Sequence, residues 1–366
     1  MSLRVGVIGC GKIADAHVEQ IRATGLAEVI AVCDQELLMA KQIADRLGIK
    51  GVYADSKEMI AAEKLDVIHI ATPPGSHPAI AHEAMQHGCH VFIEKPFADD
   101  LAKAREIFSS ANTFNKKVGV NHMFLFESPM IRLQEQFNAG KLGDLVHINT
   151  SYGYDLAGDY GTAVLTDEQH WVHRLPGKLF HNVLDHMVCK LAPLLSSGAI
   201  EVNCNAARRR KPTGNKIIDA LADELRFELR DGQKTVFGFI SAHARPVTHT
   251  MDVFGTKDSM QLDFNARTSV FTARQTQKGA IGRLFPAATS AKQLLGNFAS
   301  NLNAFRKYEF HYFQGMRSLL QAYYLSILND SPVPISQKDI LRTCEIMDTI
   351  IVAINKCLEL QNKDTA

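Results

Sequence analysis

A short apolar run, Leu3 to Ile8, leads straight into Gly9-Cys10-Gly11-Lys12-Ile13-Ala14, and a second apolar run, Val29 to Cys33, ends on Asp34. Gly9 permits a tight exit turn, and Gly11 lacks the Cβ that would hold a pyrophosphate away from the backbone. The small Ala14 lets a helix pack close against the strand. That helix, expected from about Lys12 to Ala23, offers unpaired N–H groups and the positive end of its dipole to phosphates. Asp34 then stands where a carboxylate accepts hydrogen bonds from the ribose hydroxyls of a dinucleotide. A 2′-phosphate beside it would be repelled, and no Arg or Lys follows until Lys41, so the pattern predicts NAD in preference to NADP. Gly9, Gly11, Lys12, Ile13, Ala14 and Asp34 form the expected clamp.

Further chemistry lies at the ends of later strands. Thr72-Pro73-Pro74-Gly75-Ser76-His77 follows the apolar stretch Asp66 to Ala71, Glu94-Lys95-Pro96 follows His90 to Ile93, and Asn121-His122 closes Lys117 to Val120. Loops that leave parallel strands gather at the carboxyl edge of the sheet, where a nicotinamide would rest. Thr72, Pro73, His77, Glu94, Lys95 and Asn121 are therefore expected beside the cofactor. A lysine directed there can bind a substrate hydroxyl or carbonyl and stabilise the alkoxide-like oxygen of a hydride transfer. Pro96 biases Lys95 towards an extended backbone.

The elements that must position these residues are legible from periodicity. Strand and helix signals alternate from Leu3 to Asn121, with near-continuous apolar strands, which predicts a doubly wound parallel sheet covered on both faces. This Rossmann domain is expected over residues 1–122. Beyond it, the segments Leu145–Tyr154, Ile200–Arg208, Leu221–Leu229, Lys234–Ala242, Thr248–Gly255 and Ser269–Ala273 read as strands, several joined by hairpin turns such as Asp231-Gly232 and Thr256-Lys257-Asp258. A mostly antiparallel sheet follows. Helices are expected near 128–138, 177–195, 314–328 and 338–358, so residues 123–366 read as one α+β domain.

At 366 residues, two domains with sizeable cores are expected. With 40 Lys and Arg against 39 Asp and Glu, the chain is no general nucleic-acid binder. No run of about 18 apolar residues occurs to span a membrane, and no apolar segment precedes Leu3, so a cytoplasmic protein is expected. The seven cysteines lack Cys-x-x-Cys spacing and read as reduced core thiols.

The glycine clamp, the Thr-Pro-Pro loop with His77, Glu94-Lys95-Pro96, Asn121-His122 and the turn Gly140-Lys141-Leu142-Gly143, in this order, resemble the family of glucose–fructose oxidoreductase, inositol 2-dehydrogenase and the rhizopine-catabolism protein MocA. The resemblance extends to Tyr312-Phe313-Gln314-Gly315-Met316 and Pro332-Val333-Pro334-Ile335-Ser336. It implies a Rossmann domain followed by a large open-faced sheet, a tightly held NAD(P), and homodimers or homotetramers formed through that sheet. It also implies an oxidoreductase moving a hydride between nicotinamide and a hydroxyl or carbonyl of a sugar, cyclitol or sugar derivative, including phosphate- or nucleotide-bearing ones. In that family a helix of the second domain bears an Asp and a His four residues apart, beside the lysine. Matching its glycine to Gly177 puts Asn182 at the usual Asp and His186 at the usual His, so Lys95 and His186 become the acid–base pair and Asn182 orients without ionising. A slip of one residue offers His181 and Asp185 instead. Alternatively these two only line the substrate cavity, which His122 and Trp171 of the cluster His170 to Arg174 also approach. No spacing resembles a zinc helix, so no metal is expected.

Asn182 in place of an acid keeps a second class open, a cofactor-binding sensor or structural protein with lost or altered catalysis. Two basic features remain. Arg208-Arg209-Arg210-Lys211 reads as a solvated turn. From Ala266 to Tyr308 the chain carries Arg267, Arg274, Lys278, Arg283, Lys292, Arg306 and Lys307 and no acid. Within it, 291–305 has amphipathic spacing and reads as a packing helix with a solvated basic face; the alternatives for the charge are an anionic substrate such as a sugar nucleotide, next in preference, an oligomer contact and an acidic lipid surface.

Overall fold

The computed structural model describes residues 2–274 and 278–364. Up to Phe126 the order is β1 (Leu3–Ile8), α1 (Ala14–Ala23), β2 (Ala27–Cys33), α2 (Leu37–Leu47), β3 (Gly51–Tyr53), α3 (Ser56–Ala62), β4 (Val67–Ile70), α4 (His77–Gln86), β5 (His90–Ile93), α5 (Leu101–Phe114) and β6 (Val118–Val120). The six strands are parallel in the order β3-β2-β1-β4-β5-β6. Strand order reverses between β1 and β4, and Gly9 leaves β1 at this switch point, the place where open α/β sheets bind ligands. The strands are apolar because helices cover both faces: Val5, Val7, Val67, Ile68 and Ile70 are fully buried.

The remaining elements are α6 (Ser128–Asn138), β7 (Leu145–Gly153), α7 (Asp159–Thr166), α8 (Lys178–Leu191), β8 (Glu201–Ala207), α9 (Lys216–Asp219), β9 (Glu224–Asp231), β10 (Lys234–Ser241), β11 (His249–Gly255), β12 (Ser259–Asp263), β13 (Thr268–Thr272), α10 (Gly279–Arg306), α11 (Gln314–Leu328) and α12 (Gln337–Asp364). Seven strands make a second sheet, β13-β12-β11-β7-β10-β9-β8. Its neighbours are antiparallel except β7 and β10, which run parallel. Along β9 and β10 the buried Leu225, Phe227, Leu229, Val236 and Ile240 alternate with Arg226, Glu228, Phe237 and Phe239 on the open face.

The chain divides into two compact units, one running to Phe126 with Phe313–Glu345, the other Glu127–Tyr312 with the chain from Ile346 on. The single cut expected after residue 122 therefore misses a return. Helix α11 packs on the first sheet because Tyr323 and Tyr324 are fully buried there, and the Tyr323 hydroxyl donates to the carbonyls of Val91 and Lys117 at 2.8 and 3.0 Å. Lys117 Nζ in turn donates to Ser326 O and Ser331 O at 2.6 and 2.8 Å.

Other departures have local causes. The sequence pattern does not reveal β3, α3, α7, α9 or β12, all eight residues or shorter. Arg210 is no solvated turn residue: its guanidinium lies 3.0 Å from the buried Asp223 carboxylate and donates to Leu221 O. The backbone N–H groups of Arg209 and Arg210 bind the same carboxylate. Burial favours the neutral acid, yet these donors and His243 together hold Asp223 below the ordinary carboxylate range. Helix α10 also reverses its expected orientation. Its polar stripe packs inwards, because β13 is an edge strand whose backbone needs partners: Gln293 accepts from Phe271 N at 2.8 Å and donates to Phe271 O at 2.9 Å, while Asn297 donates to Ser269 O at 2.8 Å. Leu295, Phe298 and Phe305 are left exposed.

Candidate active site

The first unit carries the dinucleotide end. Gly9 has φ +96°, and a Cβ there would lie 2.6 Å from Ala71 C and O, so only glycine lets the clamp pass so close to the strand-end loop. At Gly11 a Cβ would meet nothing within 4 Å, which leaves open space over the turn backbone. Lys12 and Ile13 lie in that turn and α1 begins at Ala14, two residues later than expected; Ala14 is fully buried against the sheet. Ile13, the residue preceding the helix, has no side-chain oxygen to cap the first-turn N–H groups. Asp34 Oδ2 accepts from Cys10 N at 2.7 Å and Oδ1 from Glu36 N at 2.9 Å. A carboxylate has about four acceptor sites, so ribose hydroxyls remain within its capacity. Burial and the neighbouring Asp34 push the Cys10 thiol up to about 12, so it stays neutral in the clamp.

Around Glu94 the structure builds a network that residue spacing does not disclose. Glu94 Oε1 lies 2.8 Å from His17 Nε2, His17 Nδ1 lies 2.8 Å from His69 Nδ1, and His69 Nε2 lies 2.7 Å from the Tyr324 hydroxyl. One consistent set of protons has Tyr324 donating to His69, His69 to His17, and His17 to Glu94. Asn121 Nδ2 donates to the same Glu94 oxygen, and Lys95 N donates to Glu94 Oε2 at 3.1 Å. Burial works to raise the Glu94 pKa, but His17, Lys95 and Asn121 outweigh it and hold the acid below its ordinary value. Burial, reinforced by His17, drives His69 well below the ordinary histidine value. The network fixes Glu94, and with it the start of the Lys95 loop. Of the three outer members only His69 gives a signal in the sequence, a polar residue inside the otherwise apolar strand β4.

The other expected residues of this unit separate by exposure. Lys95 is half-buried and Thr72 half-buried, whereas Pro73 is exposed. Thr72 Oγ1 pairs with Ser76 Oγ at 2.7 Å. His77 is fully buried, with Nδ1 3.0 Å from Phe97 O and Nε2 2.8 Å from Thr72 O, so its ring braces two loops. Burial lowers its pKa against the pull of those carbonyls, which favour the charged form. His122 is buried too. Asn121 is 6% exposed, and its Oδ1 has no hydrogen-bond partner among the described residues. An open glycine turn, an uncapped helix start, an available carboxylate and an orphaned buried amide oxygen together fit a dinucleotide.

In the second unit, α8 places the helix residues. Asn182 and His186 share one face, and Asn182 Nδ2 donates to the Tyr160 hydroxyl at 2.7 Å. The His186 ring stacks on Tyr152 with centroids 5.2 Å apart. His181 and Asp185, on the adjacent face, are 1% and 2% exposed, while His186 is half-buried. Trp171, half-buried, stacks on His170, whose ring meets Tyr160 edge-on. Behind His186 lies a group that the spacing does not single out: Lys190 is fully buried, donates to His186 O at 2.5 Å and to His249 Nε2, and its ammonium stands 4.5 Å from the Phe264 ring centre. Burial brings Lys190 down to about 7, and burial plus the Lys190 charge lowers His249 well below the ordinary value. Among the described residues no group of three or more His, Cys, Asp or Glu side chains is arranged to hold a metal ion.

Residues 3–122 match the family described as an oxidoreductase family with an NAD-binding Rossmann fold, GFO_IDH_MocA. Through this domain the chain is similar to the Gfo/Idh/MocA oxidoreductases. Its Rossmann domain is NAD-binding, as the clamp predicts. Among curated relatives, a D-glucoside 3-dehydrogenase of Escherichia coli is 32% identical over 168 residues, covering 46% of this chain and 48% of that protein. An inositol 2-dehydrogenase of Azotobacter vinelandii is 31% identical over 167 residues, covering 43% and 49%. The chain spans about half the length of the curated relatives it matches. A levoglucosan dehydrogenase solved with NADH and levoglucosan has the same fold at TM-score 0.78, with 18% identity over 97% of this chain and 98% of that one. The WlbA dehydrogenase of Bordetella pertussis, solved with NADH and UDP-GlcNAcA, superposes at TM-score 0.76 with 17% identity over 97% and 96%. These likenesses cover both sheets, so the architecture expected from the resemblance is present throughout.

Proposed function

We propose that this protein is an NAD-dependent dehydrogenase or reductase acting on a hydroxyl or carbonyl of a sugar, cyclitol or sugar derivative. One observation supports the assignment of the helix residues above others: α8 turns Asn182 and His186 to its less buried side and withdraws His181 and Asp185. This favours the register with His186 as proton carrier. Bound NAD would take the hydride from the carbinol carbon. His186 accepts the hydroxyl proton as that C–H bond breaks, and the Lys95 ammonium stabilises the negative charge developing on the oxygen. Asn182, fixed through Tyr160, donates to a substrate oxygen without changing charge. Gly9, Gly11, Ala14 and the start of α1 hold the pyrophosphate, Asp34 takes the ribose, and Thr72, Glu94 and Asn121 border the nicotinamide. The named relatives act on sugars and inositols, which supports the substrate class; a phosphate- or nucleotide-bearing sugar falls within it.

The test follows reduced-nicotinamide absorbance with NAD or NADH against a panel of sugars, inositols and nucleotide sugars. Turnover that Lys95→Ala or His186→Ala lowers on the order of 10²- to 10⁴-fold, with cofactor binding retained, is the expected result. NADH binding without turnover across the panel sinks the enzyme reading and leaves the sensor that Asn182 in place of an acid would permit.

The open face of the second sheet supports assembly as a homodimer or homotetramer. Phe237 and Phe254 are exposed there, each packed on the His147 ring, beside a cavity of 580 Å³ bordered by Asn149, Asn205, Arg226 and Phe239. No described helix is long and apolar enough to cross a membrane. A cytoplasmic place suits the seven cysteines, all of them free thiols.

A further inference from the structure

Helix α10 is amphipathic in the opposite sense to a helix that packs through its apolar side. Gln293, Asn297 and Asn301, four residues apart, spend their amides on the backbone of β13 and the residues before it. The opposite side is thereby turned outward. It carries Leu284, Leu295, Phe298 and Phe305, exposed by 70%, 70%, 64% and 65%. At about 100° per residue these four fall within one stripe of the helix. Tyr308, just past the helix end, is 91% exposed. So long an apolar stripe in water calls for an occupant.

The charge around it identifies one. The chain from Ala266 to Tyr308 holds seven basic residues and not one acid, although the whole protein is nearly neutral. Lys292 and Arg306 sit on the apolar side of α10, within about 60° of Leu295 on the helical wheel. Self-pairing of the stripe with a second copy would bring Lys292 and Arg306 of both copies together, with no acid on either helix to neutralise them. A surface of anionic headgroups over acyl chains satisfies both halves of the pattern, since Leu and Phe enter the acyl boundary while Lys and Arg meet phosphates. A tyrosine at the helix end suits the same boundary. We propose that α10 is an in-plane docking helix by which the protein binds anionic lipid surfaces. The inference stands independently of the dehydrogenase reading.

The full-length protein is tested by co-sedimentation with vesicles of phosphatidylcholine alone and of phosphatidylcholine mixed with phosphatidylglycerol. Binding is expected to the mixed vesicles only, and to weaken as salt shortens the screening length. Each basic residue near such a surface is worth about fivefold in affinity. Lys292→Glu with Arg306→Glu is therefore expected to lose well over tenfold, and Leu295→Ser with Phe298→Ser to abolish sedimentation. Far-ultraviolet circular dichroism should be unchanged in both, because these side chains are solvent-exposed. Should a variant unfold, Lys292→Ala with Arg306→Ala and the salt titration of the unaltered protein carry the test. Failure to bind mixed vesicles, equal binding to both vesicle types, or binding indifferent to all these variants overturns the proposal. Light scattering supplies the remaining arm: if Leu295→Ser with Phe298→Ser lowers the molecular mass in solution, the stripe pairs with a second copy and the lipid assignment is wrong.

Discussion

Asp34 has both carboxylate oxygens bound to backbone N–H groups, of Cys10 and of Glu36, so it shapes the clamp in addition to the ribose role proposed for it. Asp34→Ala is expected to weaken NADH binding about tenfold or more and to narrow the preference for NADH over NADPH, read by fluorescence titration of both. An unchanged preference removes the role assigned to this carboxylate. Lys190 gives a prediction of pH dependence. Its pKa is brought from the ordinary 10.5 to about 7 by burial, so between these values the unfolded chain binds a proton that the folded chain does not. Stability from this site therefore rises with pH across that window, and the penalty is present in full below about 7. Urea unfolding at a series of pH values should show Lys190→Met gaining on the parent as pH falls through the window, by on the order of a few kcal/mol. At this scale the clamp is legible in the sequence because glycine, small residues and an acid act through backbone geometry at fixed spacing. Lys190, His17 and His69 are not, because their roles depend on partners 50 or more residues away, as with His17 and His69.

Among the elements, α8 and α10 show what periodicity determines and what it leaves open. In both helices the stripes are readable, but which stripe faces inwards depends on the neighbour. In α8 every residue but Lys178 and His186 is buried, the polar His181, Asp185 and Lys190 included, so neighbours press on nearly all of its sides. For α10 the neighbour is an edge strand with unpaired backbone groups, so the amide side packs. Asn297, 3% exposed, bonds Ser269 O and accepts from Arg132, so Asn297→Leu strands buried polar groups. A loss of about 1–3 kcal/mol is expected, with faster amide exchange in β13 and α10 than elsewhere. Unchanged protection would mean that α10 is held by contacts other than these amides.

Across the whole chain, the Rossmann sheet takes part of its covering from residues that follow the second sheet in sequence. Tyr323 is the sharpest instance, buried against Phe92 with its hydroxyl on two strand carbonyls. Tyr323→Phe should cost about 1 kcal/mol and Tyr323→Ala about 3–5 kcal/mol, measured by chemical unfolding of the NAD-binding unit. If Tyr323→Ala leaves its stability untouched, the return of 313–345 is not part of that unit's core.

The sequence alone determined the parallel domain, its clamp, the mostly antiparallel second sheet and the place of Lys95 at a strand end, because each is written in local spacing: period two, period 3.6, glycine at a turn, an acid at a strand end; Asn182 and His186 were singled out only by the family resemblance. Tertiary structure decided which of the α8 faces is withdrawn, which face of α10 is spent on β13, that Arg210 is tied to Asp223, and that α11 closes the first sheet rather than the second. Those outcomes rest on the burial of polar groups, and a buried polar group is stable only with a partner that sequence distance conceals.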